Sequence, residues 1–437
     1  MRKPLTPADL REMAGKEVTV SGWVHDVRVL GGISFVLLRN TGGIVQIAAP
    51  KKTVKPEVFE LIATLHQEDV IQVGGTVKES TAARMGFEII PTQIEVMSKA
   101  AAPLPLDPRG VTPASLDTRL EWRSLELRRP ETAAVFKIEN AVVQGFEDFL
   151  QGSGFIRAFT PSIIGGVSEG GSEVFKIDFY GKDAFLRQDP QLHRQLTIAG
   201  GFDRIYDLGT NWRAEVSHTP RHLSEHRTIA PEMAFITDEL DTMKLEEEMI
   251  VHGIKHVIKH CPDELGLLKV ELKVPDTPFP VVQFPEIYDT LDKLGRTLPR
   301  NEDIDDPSLR ALAGQVKEET GSDFFFLNRF PSAAKAFYVM RVDETPEFAR
   351  SVDLVYKGLE LSSGGQREHR HDRIVAQIME KGYNPKSLEW FTEPFRYGVP
   401  THGGYSLGIE RFTSYLLGME SIKEAVLFPR DPERLQP

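Results

Sequence analysis

The chain has 437 residues, 41% hydrophobic and 27% charged, enough for two or three domains with substantial cores. Its net charge of −12 argues against non-specific coating of nucleic acid, and its single cysteine, Cys261, excludes an internal disulfide and a thiolate zinc site. No apolar run is long enough to span a membrane and the opening MRKPLTPADL lacks a signal-peptide core, so a cytoplasmic protein without membrane association is expected, with any metal held by oxygen or imidazole.

Between Glu17 and Ile94 the sequence breaks into β-rich runs: EVTVSGWVHDVRVL, ISFVLLRN, IVQIAAP, VIQVGGTVKES and FEIIPTQIEVM. Gly-rich turns at Gly31-Gly32 and Gly42-Gly43 separate the first three, and a helical stretch, VKPEVFELIATLH, precedes the fourth. Five strands with a helix between the third and fourth is the order of the OB-fold barrel. That barrel is a platform for single-stranded nucleic acid or oligosaccharide, although a small barrel also serves for packing alone. Residues 1–100 carry 12 Lys+Arg against 11 Asp+Glu, so the acidity lies beyond them and this segment is free to approach a polyanion or simply has a mixed surface. Residues 98–130 collect proline and small residues and then turn charged, as a hinge would. The expected division is a barrel over 1–100, a hinge over 101–130 and a second domain over 131–437.

Beyond Pro130, TAAVFKIENAVVQGFEDFLQGSG repeats apolar residues at helical spacing and stops at a glycine. FIRAFTPSII then reads as a strand, followed by strands in FKIDFY, DAFLRQ, RIYDLGTNW, EMAFITD, FYVMRV and FARSVDLVYKGLELSSG, and helices near 190–200, 240–260, 306–318 and 371–381. The expected fold class is α+β, the larger domain built around an antiparallel sheet.

Three clusters carry chemistry. In NWRAEVSHTPRHLSEHRTIAPEMAFI, two strands joined by a loop would put Arg213 and Glu215 on one face, with Arg221 and His222 at the loop's far end. A guanidinium beside a carboxylate suits a phosphate or carboxylate ligand whose amine the glutamate accepts from; a surface ion-pair ladder is the other reading. In LVYKGLELSSGGQREHRHD, Glu360 and Ser363 are plausible magnesium ligands with substrate phosphates completing the shell, whereas His369, His371 and His402 give no second shell for zinc. In HGGYSLGIERFTSYLLG, a Gly-rich turn allows close approach of a ligand and Glu410-Arg411 opens a helix whose N-terminus favours an anion. Neither a P-loop nor a Rossmann fingerprint is present.

The order helix plus FIRAFTP, then WRAE…TPRHLSE…EMAF, then GGYSLGIER resembles the three motifs of the class II aminoacyl-tRNA synthetases. LSSGGQREHRHD and DPQLHRQ narrow the resemblance to the aspartyl enzymes of the archaeal type, over nearly the whole chain. It implies an OB-type anticodon domain, a hinge and an antiparallel-sheet catalytic domain. The activity it implies is ATP-dependent formation of aspartyl-adenylate and transfer of aspartate to tRNA. By the same resemblance, Arg213 holds the α-phosphate and Glu215 the adenine amine, in a nucleotide site that also takes in Ala214, Arg221, His222, Leu223, Glu360, Gly408, Ile409, Glu410 and Arg411. Arg213 and Arg411 stabilise the transition state, and Glu360 and Ser363 bind Mg²⁺. Aspartate is held by Glu169, Gln191, Arg194, Arg213, Ser363 and Arg367, the last paired with its side-chain carboxylate. A carboxylate buried against a guanidinium resists replacement by an amide, because breaking such a pair costs about 3–5 kcal/mol.

The chain departs from the family where relatives read S-P-Q-L-Y-K-Q: here Asp189, His193 and Arg194 replace Ser, Tyr and Lys, and Asp189 is positioned to neutralise Arg194. Trp212 stands for the usual Phe, Ser406 for a frequent glycine, and His226 lies where relatives differ. In the barrel, Phe35 would stack on a base while Gln46 and Glu88 read base edges. Relaxed archaeal-type relatives, which also charge tRNA-Asn, tend to have His at the position of His25 and Pro at that of Arg84; strict ones tend to have Trp and Lys. The two positions point in different directions, and His25 favours relaxed recognition of tRNA-Asp and tRNA-Asn over strict recognition of tRNA-Asp. An asparaginyl enzyme shares the architecture, but Pro190-Gln191 and the pairing of Arg194 with Arg367 favour an acidic substrate over a neutral one. A homodimer is implied through the first motif's helix and Pro161.

Overall fold

The computed structural model describes residues 5–40, 42–81, 83, 85–166, 174–216, 219 and 221–437. The chain divides into two units, Met1–Pro130 and Glu131–Pro437.

In the first unit, strands β1 (Glu17–Leu30), β2 (Ile33–Asn40), β3 (Gly43–Pro50), β4 (Val70–Glu79) and β5 (Phe87–Ser98) close a barrel in the order β1-β2-β3-β5-β4, the OB arrangement. Alternation does the work: Val18, Val20, Val36, Leu38, Val45, Ile47, Ile71 and Val73 fill the interior while their neighbours face outward. The helix Pro56–Ile62 contributes Val58 and Ile62 to that core. Residues 101–130 hold two short helices, Leu116–Glu121 and Arg123–Glu126. Glu126, wholly buried, meets Arg119 at 2.8 Å and Arg129 at 3.5 Å.

The second unit contains β6 (Ile156–Ala158), β7 (Ile163–Ile164), β8 (Lys176–Phe179), β9 (Lys182–Leu186), β10 (Arg204–Trp212), β11 (Glu225–Ala234), β12 (Val281–Gln283), β13 (Phe324–Asn328), β14 (Ser351–Tyr356), β15 (Leu359–Arg367) and β16 (His402–Gly408). Eight of them form one sheet in the order β12-β13-β14-β15-β16-β11-β10-β6, whose six inner strands are antiparallel and whose outermost pairs, β12 with β13 and β6 with β10, are parallel. A separate sheet, β7-β9-β8, takes the rest, so FIRAFTPSII is split between two sheets. The helix Pro130–Gly152 presents Ile138, Val142, Phe146 and Leu150 to the large sheet, and the helix Glu239–His260 adds Met249, Ile250, Ile254 and Val257. On β16, Tyr405 and Leu407 enter this core; Ser406, one residue out of phase, faces the opposite side, where the functional cavity lies.

Three expectations are corrected. EMAFITD does not stand alone as a strand: its first residues end β11, which stops at Ala234 because Phe235 takes a left-handed backbone with φ of 60°. FYVMRV makes only isolated bridges, Val339 to Arg367 and Arg341 to Ala349, since β14 holds its edge of β15 as far as Gly365 and leaves only the last residues of that strand open. The Gly-rich HGGYSLG is a central strand rather than a turn. Its glycines serve strand packing: a Cβ at Gly404 would lie 2.1 Å from the Pro231 carbonyl oxygen, and one at Gly364 2.4 Å from that of Gly404.

Candidate active site

A cavity of about 510 Å³ opens on the face of the large sheet opposite the two long helices. Its walls are the segment after β10, the strands β11, β15 and β16, the turn at 334–339 and the start of the helix Ile409–Leu416.

At one end stand the residues of the first cluster. Arg213 and Glu215 lie past the end of β10, in the connection to β11, and not on a strand as expected; the Arg213 N–H donating to the Ser224 carbonyl at 3.0 Å extends the ladder by one rung. The Arg213 guanidinium is 3.5 Å from Glu215, whose second oxygen is 3.5 Å from His222 Nε2. Leu223 seats the loop against Ile422 and Val426. Arg221 reaches Asp306 at 3.0 Å. Arg411 donates to the Glu360 carbonyl at 3.0 Å, which brings the second and third clusters together. Glu410 borders the cavity, but its carboxylate is committed to Arg227, accepting from the main-chain N–H and from Nη1 at 2.9 Å. Gly408 lines the cavity; Ala214 and Ile409 do not, Ile409 being in the core. His226, between Arg213 and Arg411, is pushed down to about 3 by burial and by both guanidinium groups, so it is a neutral imidazole.

At the other end, Arg367 is buried on β15. It donates through Nε to Glu232 at 2.9 Å, and through Nη2 to Gln191 at 3.0 Å and the Gly404 carbonyl at 2.9 Å. Its Nη1 has no hydrogen bond among the described residues. Gln191 and Arg194, three apart on the helix Gln191–Ala199, share one helical face. Arg194 is fully buried and stands behind the lining rather than in it, bonded to Asp189 at 2.6 Å and to Gln191, and 3.6 Å from Glu232. Burial would raise Asp189 and Glu232, but the neighbouring arginines prevail and hold both below the usual carboxylate range. The pocket is thus charge-balanced, two guanidinium groups against two carboxylates. His402 contacts the Pro400 carbonyl and Gln195, and burial pushes it down to about 4.

The corner between the two ends holds Glu360 and Ser363 with a residue that sequence reasoning missed, Asp353 on β14, directly opposite Ser363 of β15. Burial, then the adjacent Asp353, pushes Glu360 up to about 7. Asp353 accepts from Lys335 Nζ at 2.9 Å through Oδ2, and its buried Oδ1 has no partner. Two crowded carboxylates, one with an orphaned oxygen, beside a hydroxyl fit a divalent cation whose remaining ligands come from substrate oxygens. Among the described residues no three His, Cys, Asp or Glu side chains are grouped for a metal. The signal for Asp353 was a lone acid in SVDLVY, a strand buried at every position. Lys335, Tyr338 and Lys381 also line the cavity and were not anticipated. Glu169 lies outside the described residues.

On the barrel, His25 sits at a bulge between Val24 and Asp26, with Arg39 Nη1 3.2 Å from its Nδ1. Phe35 is half-buried and alternates with the interior Ser34 and Val36; Gln46, paired with Leu37 across the strands, donates to Glu88 at 3.1 Å. These side chains occupy the outer face of β1, β2, β3 and β5. Arg84 lies outside the described residues. No helix among the described residues is long and apolar enough to cross a membrane.

Residues 115–432 match the family described as tRNA synthetases class II (D, K and N), and residues 18–97 match the OB-fold nucleic acid binding domain. The chain is 47% identical to the aspartate–tRNA(Asp) ligase of Thermococcus kodakarensis, over 98% of this chain and 97% of that protein. It is 44% identical to the aspartate–tRNA(Asp/Asn) ligase of Methanopyrus kandleri, over 100% of both. Among solved structures, it is similar to the asparaginyl-tRNA synthetase of Pyrococcus horikoshii complexed with asparaginyl-adenylate, with a TM-score of 0.92 and 30% identity over the whole of both chains.

Proposed function

We infer the function from the family to which this chain belongs, the class II tRNA synthetases of the D, K and N group. It is an ATP-dependent ligase that activates L-aspartate as aspartyl-adenylate and transfers the aspartyl group to tRNA-Asp. The asparaginyl alternative is not favoured, because relatives at 40–47% identity are named for aspartate whereas the asparaginyl structure is 30% identical. The observation that carries the residue assignment is the meeting of Arg213, Glu360, Arg367 and Arg411 around one cavity.

In this reading the α-carboxylate of aspartate attacks the α-phosphorus of ATP in line, the bond to the bridging oxygen breaks, and pyrophosphate leaves. Arg213 holds the α-phosphate and Glu215 the adenine amine, while Arg221, His222 and Arg411 face the outer phosphates and the base, with Leu223, Gly408 and Glu410 shaping the wall. Arg367, oriented by Glu232 and Gln191, takes the substrate's side-chain carboxylate; Glu169 and Ser363 complete the amino-acid pocket, and Arg194 acts from behind through Gln191. Asp353, Glu360 and Ser363 would hold Mg²⁺, which supplies positive charge against the pyrophosphate as it departs. The terminal tRNA hydroxyl then attacks the acyl carbon and AMP leaves. No side chain acts as a nucleophile.

Residues 1–100 bind the anticodon, with Phe35 stacking and Gln46 and Glu88 reading edges, and 101–130 form the hinge to the catalytic domain at 131–437. Recognition extends to tRNA-Asn; His25 at its bulge supports this. The chain forms a homodimer, for which the outward-facing Ile156, Phe159 and Ile163 beside Pro161 supply apolar surface. Pyrophosphate exchange into ATP tests the reaction: it should require aspartate and disappear in Arg213→Ala and Arg367→Ala. Charging of separate tRNA-Asp and tRNA-Asn transcripts tests recognition, and failure to aspartylate the second rejects the relaxed reading.

A further inference from the structure

We propose that Lys335 is a built-in counter-ion that keeps the Asp353–Glu360 corner from holding a divalent cation until a nucleotide polyphosphate occupies the cavity. The inference rests on the reading of that corner as the cation site. Lys335 Nζ lies 2.9 Å from Asp353 Oδ2, and the two side chains are only 13% and 5% exposed. On its other side the ammonium stands 3.5 Å over the Phe330 ring, so it is held by an ion pair and an aromatic face in a dry setting. The turn Ser332–Ala334 that delivers it is itself tied down, because Lys381 Nζ donates to the Ser332 carbonyl at 3.2 Å and the Ala333 carbonyl at 2.7 Å. Lys335 is therefore a fixed positioning residue and not a mobile surface lysine.

The charges around it decide the outcome. Asp353, Glu360 and Asp303 face Lys335, while Arg411 and Arg213 face Glu360. With Arg213 shared by Glu215, it is Lys335 and Arg411 that offset the corner's own acids, so little negative charge is left to attract a further +2 ion in the free enzyme. A polyphosphate reverses that balance, and the orphaned Asp353 Oδ1 then has a reason to meet a metal. Removing the lysine charge should give the acid pair to the cation without waiting for the nucleotide.

The test uses the full chain and Mn²⁺, an oxygen-seeking ion visible by electron paramagnetic resonance. Without nucleotide, Lys335→Met should bind Mn²⁺ about tenfold tighter or more than wild type, and the further tightening caused by a non-hydrolysable ATP analogue should shrink correspondingly. Lys335→Arg, which keeps the charge, should restore the wild-type dependence on nucleotide. If Lys335→Met does not fold, Lys335→Gln gives the same comparison. Mn²⁺ affinity in the neutral variants equal to or weaker than wild type overturns the proposal. Adding Glu360→Gln to Lys335→Met should erase the gain; a gain that survives means that the ion binds elsewhere, and the assignment of the corner falls together with the proposal.

Discussion

Replacing Arg367 by glutamine separates two roles that the same guanidinium performs. Glu232 has no exposed surface, and Arg367 is its close partner at 2.9 Å, with Arg194 farther off at 3.6 Å. Removing one member of a buried pair costs about 3–5 kcal/mol, mostly because the remaining charge is stranded. Arg367→Gln should therefore lose stability on that scale in urea unfolding. It should also lower kcat/KM for aspartate in pyrophosphate exchange by roughly two to four orders of magnitude, since every 1.4 kcal/mol is about tenfold. The double variant Arg367→Gln/Glu232→Gln removes the stranded charge and should regain most of the stability. It should regain none of the aspartate dependence, because the donor for the substrate carboxylate is still missing. ATP binding, measured by calorimetry, should stay near wild type in the double variant, as Arg213, Glu215 and Arg411 lie at the other end of the cavity. Recovery of exchange along with stability would refute the idea that Arg367 meets the substrate and leave it a structural residue.

Asp189→Ser takes one acid from the balanced amino-acid pocket and frees Arg194; the aspartate KM should fall about three- to tenfold, and a rise would mean that Arg194 depends on Asp189 to hold Gln191. His25→Trp should cut charging of tRNA-Asn about tenfold or more relative to tRNA-Asp, the scale of one stacked base, and an unchanged ratio would remove His25 from recognition. Glu246 beneath β15 is pushed up to about 8, first by burial and then by Asp353. The folded chain keeps a proton there that the unfolded chain releases above about 4.5, so this group's stabilisation is complete below that pH and is lost towards pH 8, at about 1.4 kcal/mol per pH unit. Glu246→Gln should flatten the fall of the urea midpoint between pH 5.5 and 7.5; an equal slope in both proteins would contradict a buried protonated acid.

Much of the barrel was legible because its periodicity is local. Alternating Val, Leu and Ile with Gly turns placed β1 and β2 at their observed bounds, and the remaining three strands within a few residues. The chemistry on β15 was legible for a similar reason: Glu360, Ser363 and Arg367 ride on one continuous strand, so their company follows from chain connectivity. Arg194 was harder. Its spacing from Gln191 fixes a shared helical face but not the depth at which that face meets Glu232, and that depth decides whether the guanidinium touches a ligand or braces a residue that does.

The glycines of HGGYSLG show the same boundary from the other side. A run of small residues next to a helix start reads locally as a loop open to a ligand. The reason for the glycines lies on the two neighbouring strands, the Pro231 carbonyl of β11 against Gly404 and the Gly365 carbonyl of β15 against Gly403, and neither strand is contiguous with β16 in sequence. Close packing there is what lets β15, β16 and β11 align tightly enough for Arg367 to reach both Glu232 and the Gly404 carbonyl. Substituting alanine at Gly404 should accordingly displace Arg367 and raise the aspartate KM without any direct contact with substrate, and crystals of that variant showing Arg367 unmoved would break the link between sheet packing and amino-acid recognition.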